Sequence, residues 1–134
     1  SQSTSNACSI SQKAAVAALR FGEPFTKQMV AEFDRRRRTI IEGLNKIPGI
    51  SCRMPGGAFY AFPNIKGVLG KRGPAGPINT PTDLATYLLK DAQIAVVPGE
   101  PFGSQEHIRL SYATSMEMIT RGLDRLGLAL KKLT

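Results

Sequence analysis

Arg109 is the residue whose type and setting most invite chemistry. It lies in Ile108-Arg109-Leu110-Ser111-Tyr112, on a predicted strand between apolar neighbours, just after a loop rich in proline and glycine. A guanidinium placed there can present its fork at a cleft and take a carboxylate through two parallel hydrogen bonds. The same spacing also suits an edge-strand arginine in solvent, and from the residues alone both readings stand. His107, the single histidine, precedes that strand without an obvious orienting carboxylate, which suits a surface or edge position better than catalysis. A Schiff-base lysine needs a desolvated setting that lowers its pKa. Lys13, Lys66 and Lys71 sit among polar or loop residues, and Lys131 and Lys132 close the final helix, so none reads as that nucleophile. Cys8 and Cys52 have no partners at metal-ligand spacing, so no metal site is expected and reduced thiols of a cytosol-like compartment are. There is no nucleophile elbow and no phosphate-cradling glycine loop before a helix. A complete active site does not assemble from these residues.

The elements that must position Arg109 follow from pattern. Residues from about Ser9 to Phe21 form a small-residue helix ended by Gly22 and Pro24. From Phe25 to Ile47, the residues Phe25, Met29, Phe33, Ile40, Leu44 and Ile47 recur at helical spacing, predicting one helix of about 23 residues, ~35 Å long. A helix of that length often bridges two domains, and Pro48-Gly49 stops it. Ile50 to Arg53 is a short strand candidate, Pro55-Gly56-Gly57 a turn, and Ala58 to Phe62 an aromatic strand. Lys66 to Asn79 reads as a surface loop. Thr80 caps a helix running to about Asp91, with Pro81 first and Asp83 facing the positive end of the dipole. Ile94 to Val97 and Ile108 to Tyr112 are strands. Thr114 and Glu117 suggest a capping box opening a last helix striped by Ile119, Leu123, Leu126, Leu130 and Leu133. The expected fold class is α/β: a long helix, then a small sheet of about three to four strands packed with helices.

Composition bounds the rest. At 134 residues the chain suffices for one domain with a modest core. No apolar run approaches the ~20 residues that span a bilayer, so no membrane partner is expected. The polar opening, Ser1 to Asn6, is not a secretory signal, and without an initiating methionine the chain is expected to begin inside something longer or to have been processed. The net charge of +8 raises a stand-alone basic module for an anionic partner or nucleic acid. Its only dense support is Arg35-Arg36-Arg37-Arg38, which a helix spreads around its circumference instead of aligning as a stripe. Interleaved aromatics are absent, so a solvated or cofactor-facing role is preferred to nucleic acid.

Several motifs together carry a resemblance. Pro55-Gly56-Gly57-Ala58-Phe59-Tyr60, then Val96-Val97-Pro98-Gly99 with Phe102-Gly103, then Ile108-Arg109-Leu110-Ser111-Tyr112-Ala113-Thr114-Ser115 resemble the class I pyridoxal-phosphate aminotransferases of the aspartate aminotransferase type. The opening Ser1-Gln2-Ser3-Thr4-Ser5-Asn6 and Ser11-Gln12-Lys13-Ala14-Ala15 are similar to their bacterial and plastid branch, except that Ala7 stands where the branch commonly has proline. The match runs in order across nearly the whole chain.

This resemblance implies the small carboxy-terminal portion of a fold-type I pyridoxal-phosphate transferase. Residues 1–24 would end the large cofactor domain, 25–48 would be the connecting helix, and 49–134 the small domain. It implies amino-group transfer between L-aspartate and 2-oxoglutarate, with prephenate, aromatic amino acids or alanine as alternative substrates. Arg109 would bind the substrate α-carboxylate, Phe59 would line the substrate side, and Gly57 would permit close approach. Ser5 and Asn6 would lie near the active-site entrance or the dimer interface. The Schiff-base lysine and the cofactor's other ligands would lie upstream of Ser1, so no catalytic residue is expected within the chain. By itself it is expected to hold pyridoxal phosphate weakly and to be inactive. The complete enzyme would be a homodimer, cytoplasmic or in a plastid or other organelle.

Overall fold

The computed structural model describes residues 5–134, and the chain divides into two compact units, Ser1–Glu32 and Phe33–Thr134. The first unit carries α1 (Ser9–Phe21) and the start of α2 (Glu23–Asn45). Only Gly22 separates the two helices, and its N–H bonds back to the Ala18 carbonyl while its own carbonyl receives Thr26. Pro24, expected to lie before the second helix, sits inside its first turn, where a missing N–H costs nothing. No residue of α1 is buried, and Leu19 is 90% exposed. Ser5 and Asn6, ahead of α1, are exposed.

The second unit holds the core. Ile40, Ile41 and Leu44 of α2 are buried with Ile65, Leu84, Leu88, Ile108, Tyr112 and Leu126. Ile41 lies off the predicted stripe, which widens the buried face. α3 (Pro81–Ala92) opens as expected: the Thr80 hydroxyl accepts from the Asp83 N–H at 3.1 Å, and the Asp83 carboxylate accepts from the Thr80 N–H at 2.9 Å. A hydrogen bond from the Thr80 side chain to the carboxyl, then those from the Asn79 and Thr80 N–H groups, hold Asp83 below its usual range. Tyr87 of α3 donates its buried hydroxyl to the Ala129 carbonyl in α4 (Met116–Lys131) at 2.8 Å, tying the two helices. The cap of α4 is one residue later than expected. The Ser115 hydroxyl, not Thr114, accepts from the first turn, at Met118 N–H, 3.2 Å.

The sheet is antiparallel, in the order β1-β5-β4: β1 (Tyr60–Ala61), β5 (Ile108–Ser111) and β4 (Val97–Pro98). Each strand is shorter than the periodicity suggests. Ala58 adopts a left-handed φ of 61°, which bends the chain out of the ladder before β1. The strand expected at Ile50 to Arg53 reduces to a bridge between Ser51 and Asn64, because the Asn45 side chain occupies both backbone groups of Cys52, at 2.7 and 2.9 Å. Lys66 to Asn79, expected to be a loop, contains a hairpin of β2 (Arg72–Gly73) and β3 (Gly76–Pro77). Val68 and Ile78 sink into the core beside it, and Arg72 exchanges backbone bonds with Thr134. Glycine and proline marked the turn correctly but hid the apolar residues that fix it. The architecture is the expected α/β arrangement of a small sheet with helices.

One face of the three-stranded sheet meets the core through Ala61 and Ile108, both fully buried. Alternation along the strands turns Tyr60 and Arg109 to the opposite, open face.

Candidate functional site

Arg109 occupies the central strand, opposite Val97 of β4 and beside β1. Its guanidinium carbon lies 4.3 Å from the Tyr60 ring centroid and 4.5 Å from that of Phe102. One ring comes from β1 and the other from the turn after β4, so the cation is approached from both neighbouring elements. Among the described residues no carboxylate pairs with Arg109, and it is half-buried. A guanidinium set over aromatic faces, with no carboxylate of the described residues on it, can take a carboxylate through its N–H groups.

The aromatic surface continues along the sheet. Phe59 packs on Tyr60 at 4.4 Å, Phe62 meets Phe102 edge-on at 6.1 Å, and Phe62 stacks on His107 at 4.8 Å. Phe59, Tyr60, Phe62 and Phe102 are all exposed. His107, expected at a surface or edge, is instead half-buried just ahead of the central strand: its backbone bridges to Asn64 and its Nδ1 shares a 2.7 Å hydrogen bond with the Ser104 hydroxyl. The resemblance implies a place beside the substrate for Phe59 and none for Tyr60 or Phe102. Both stood within the quoted motifs, and only the fold reveals that they converge on Arg109.

The loop carrying Gly57 and Phe59 is held from behind. The buried Tyr112 donates its hydroxyl to the Ala58 carbonyl at 3.0 Å and its N–H to the Phe59 carbonyl at 2.9 Å. Arg37 donates to the Pro55 carbonyl while its other arm pairs with Asp34. Arg38 pairs with Asp34 as well, and Arg36 lies over the Phe33 ring at 5.3 Å. Hydrogen bonds from Arg38 and then Arg37 hold the Asp34 carboxyl below its usual range. Part of the arginine run thus serves the loop beside Arg109, a task its even spread round the helix concealed.

A Cβ added at Gly57 meets nothing within 4 Å, so within this chain the close approach expected there has no counterpart; the space faces outward. Gly99 is different. A Cβ there would strike the His107 and Ser104 carbonyl oxygens at 2.4 and 2.7 Å, so only glycine lets the turn carrying Phe102 fold against β5.

The residues present do not suit pyridoxal phosphate on their own. Every lysine among the described residues is exposed apart from Lys71, which is half-buried, so the desolvation that a Schiff-base amine requires is missing. Among the described residues no cluster of three or more His, Cys, Asp or Glu could hold a metal ion, and no helix is long and apolar enough to cross a membrane.

Comparison with known proteins identifies relatives of the chain. Residues 1–126 match the family model of aminotransferase class I and II. The chain is 48% identical, over its whole length, to an aspartate aminotransferase of Rhizobium meliloti strain 1021, of which it covers 33%. It is 41% identical over 94% of its length to a probable aspartate/prephenate aminotransferase of Rickettsia bellii, covering 32% of that protein. The crystal structure of the aspartate aminotransferase from Rhizobium meliloti superposes with a TM-score of 0.92 at 46% identity, covering 99% of this chain and 34% of that one. An alanine aminotransferase from Pyrococcus furiosus gives a TM-score of 0.77 at 31% identity, over 88% of this chain and 28% of that one. The chain therefore spans about a third of the length of the curated relatives it matches. From its motifs, its fold and these likenesses, the chain belongs to the class I and II aminotransferases.

Proposed function

We propose that this chain is the carboxy-terminal third of an aspartate aminotransferase, in which Arg109 binds the α-carboxylate of substrate. The observation that carries this is the Arg109 guanidinium, set over two rings on an open sheet face without an anionic partner among the described residues. Every amino acid and 2-oxo acid in a transamination bears a carboxylate next to the reacting carbon, so one fixed fork serves both half-reactions. Pyridoxal phosphate, the family's cofactor, supplies an electron sink for that chemistry. In this reading 1–24 end a cofactor-holding domain, 25–48 connect, and 49–134 form the substrate-closing domain. Phe59 and the open space at Gly57 line the substrate side, and Ser5 and Asn6 lie at the entrance or between subunits of a homodimer. Free Cys8 and Cys52 support a reducing compartment, the cytoplasm or an organelle.

Substrate choice between aspartate and prephenate is weighed by the relatives, several of which carry both in their names. The test replaces the matching third of the Rhizobium meliloti enzyme with this chain and assays the product with aspartate, prephenate, alanine and aromatic amino acids. Aspartate turnover with 2-oxoglutarate is expected. A folded hybrid that turns over none of these acids, or turnover by the 134-residue chain alone, contradicts the proposal.

A further inference from the structure

We propose that Tyr60 and Phe102 are positioning residues that hold the Arg109 guanidinium in the plane from which it receives a carboxylate, and that Glu100 sets Phe102 in place. This rests on the reading of Arg109 as a carboxylate fork. An arginine side chain is long and flexible, and a fork that swings freely must be ordered each time a ligand binds. Here no hydrogen bond or ion pair to a described residue restrains it. The restraint comes instead from the Tyr60 and Phe102 rings at 4.3 and 4.5 Å. Guanidinium groups stack on aromatic faces and are weakly hydrated, so the rings can strip water from the flat faces while the N–H edge stays open.

Phe102 is itself held by a built contact. It ends the 3-10 turn Glu100–Phe102, whose neighbour Gly103 closes it with a left-handed φ of 76°. The Glu100 carboxylate accepts from both the N–H and the hydroxyl of Thr82, at 3.1 and 2.9 Å, in the first turn of α3. Its other oxygen is buried without a hydrogen-bond partner among the described residues. A carboxylate held that way is costly to bury, and what it secures is the turn that carries Phe102 to Arg109. Tyr60 and Phe102 are 36% and 48% exposed, so trimming either leaves the core intact.

The experiment follows the Arg109 Nε–Hε resonance by NMR in this chain, with succinate as the carboxylate probe and chloride as the ionic control. The wild-type Hε should be displaced upfield by the two rings, and succinate should shift it where chloride does not. Phe102→Leu and Tyr60→Leu should each move Hε toward the free-arginine position and weaken the succinate response roughly three- to tenfold. Phe102→Tyr and Tyr60→Phe should restore both. Glu100→Ala should reproduce Phe102→Leu in milder form, whereas Glu100→Gln, which keeps an acceptor for Thr82, should stay near wild type. Unchanged Ile108 and Tyr112 amide shifts verify the fold of each variant. A succinate response that survives both leucine variants overturns this inference alone. An upfield Hε with no succinate response in the wild type overturns the carboxylate reading, and this inference with it.

Discussion

Tyr112→Phe removes a single oxygen from the fully buried ring that supports the site. The lost hydroxyl donates to the Ala58 carbonyl at 3.0 Å, and Ala58 is the residue held at a φ of 61°. A net hydrogen bond contributes about 0.5–1.5 kcal/mol. Ala58 is exposed, so water can replace the lost donor, which places the loss near ~1 kcal/mol and not at the full cost of an orphaned acceptor. For a domain of this size that is a fall in Tm of roughly 3–5 °C. Burial, opposed in part by Arg37, raises the phenol's pKa above its usual value of 10.0. A raised pKa stabilises fully below the unfolded value and loses that contribution as pH climbs through the folded one. The gap between wild type and Tyr112→Phe should therefore be constant from neutral pH to about 9 and narrow above 10. Urea unfolding of the chain at a series of pH values measures both. A loss under about 0.3 kcal/mol at neutral pH would refute the argument that this hydroxyl holds the bend at Ala58. Ala58→Gly is the companion: glycine carries no left-handed penalty, and a gain of about 0.5 kcal/mol is expected after its own entropic cost.

Other consequences are simpler to state. Ser115→Ala should cost about 1 kcal/mol, while Thr114→Ala should be nearly neutral, since only Ser115 caps α4; paired thermal melts decide between them. Cys8 is exposed and Cys52 buried, with a thiol pKa pushed up by desolvation, so a thiol reagent at pH 8 should label Cys8 promptly and Cys52 only on unfolding. Equal labelling rates would place Cys52 wrongly. Gly99→Ala should lower stability and perturb the Phe102 ring, because its Cβ has no room against the His107 and Ser104 carbonyls; an unaltered Phe102 spectrum would contradict that.

Much of this was legible in the residues, for reasons that also mark the limits. The small-residue helix α1, stopped at Gly22, and α3, opened by its capping pair, fell close to their predicted bounds. Pattern reading failed where tertiary contacts overrode local preference. Asn45 took the backbone of Cys52 that would have laddered, and core contacts of Val68 and Ile78 made a hairpin of a loop-like stretch. The α4 cap fell one residue from the expected place because Thr114 and Ser115 stand adjacent and both carry a hydroxyl suited to a cap. Arg109 was singled out by motif, yet its stacked setting depends on Phe102 and Tyr60 arriving from different elements. Spacing along one strand carries no signal for such convergence. The support that Arg37 gives the Pro55 loop was hidden likewise, inside a run that reads as surface charge.

The most direct measurement is steady-state transamination by the hybrid enzyme carrying this chain, compared with its Arg109→Lys variant. Lysine keeps the positive charge but loses the planar fork, so the account predicts kcat/KM lower by about a hundredfold for aspartate and for 2-oxoglutarate alike. Equal kinetics for the two proteins, or a loss confined to one substrate, would contradict the claim that Arg109 receives the carboxylate both half-reactions share.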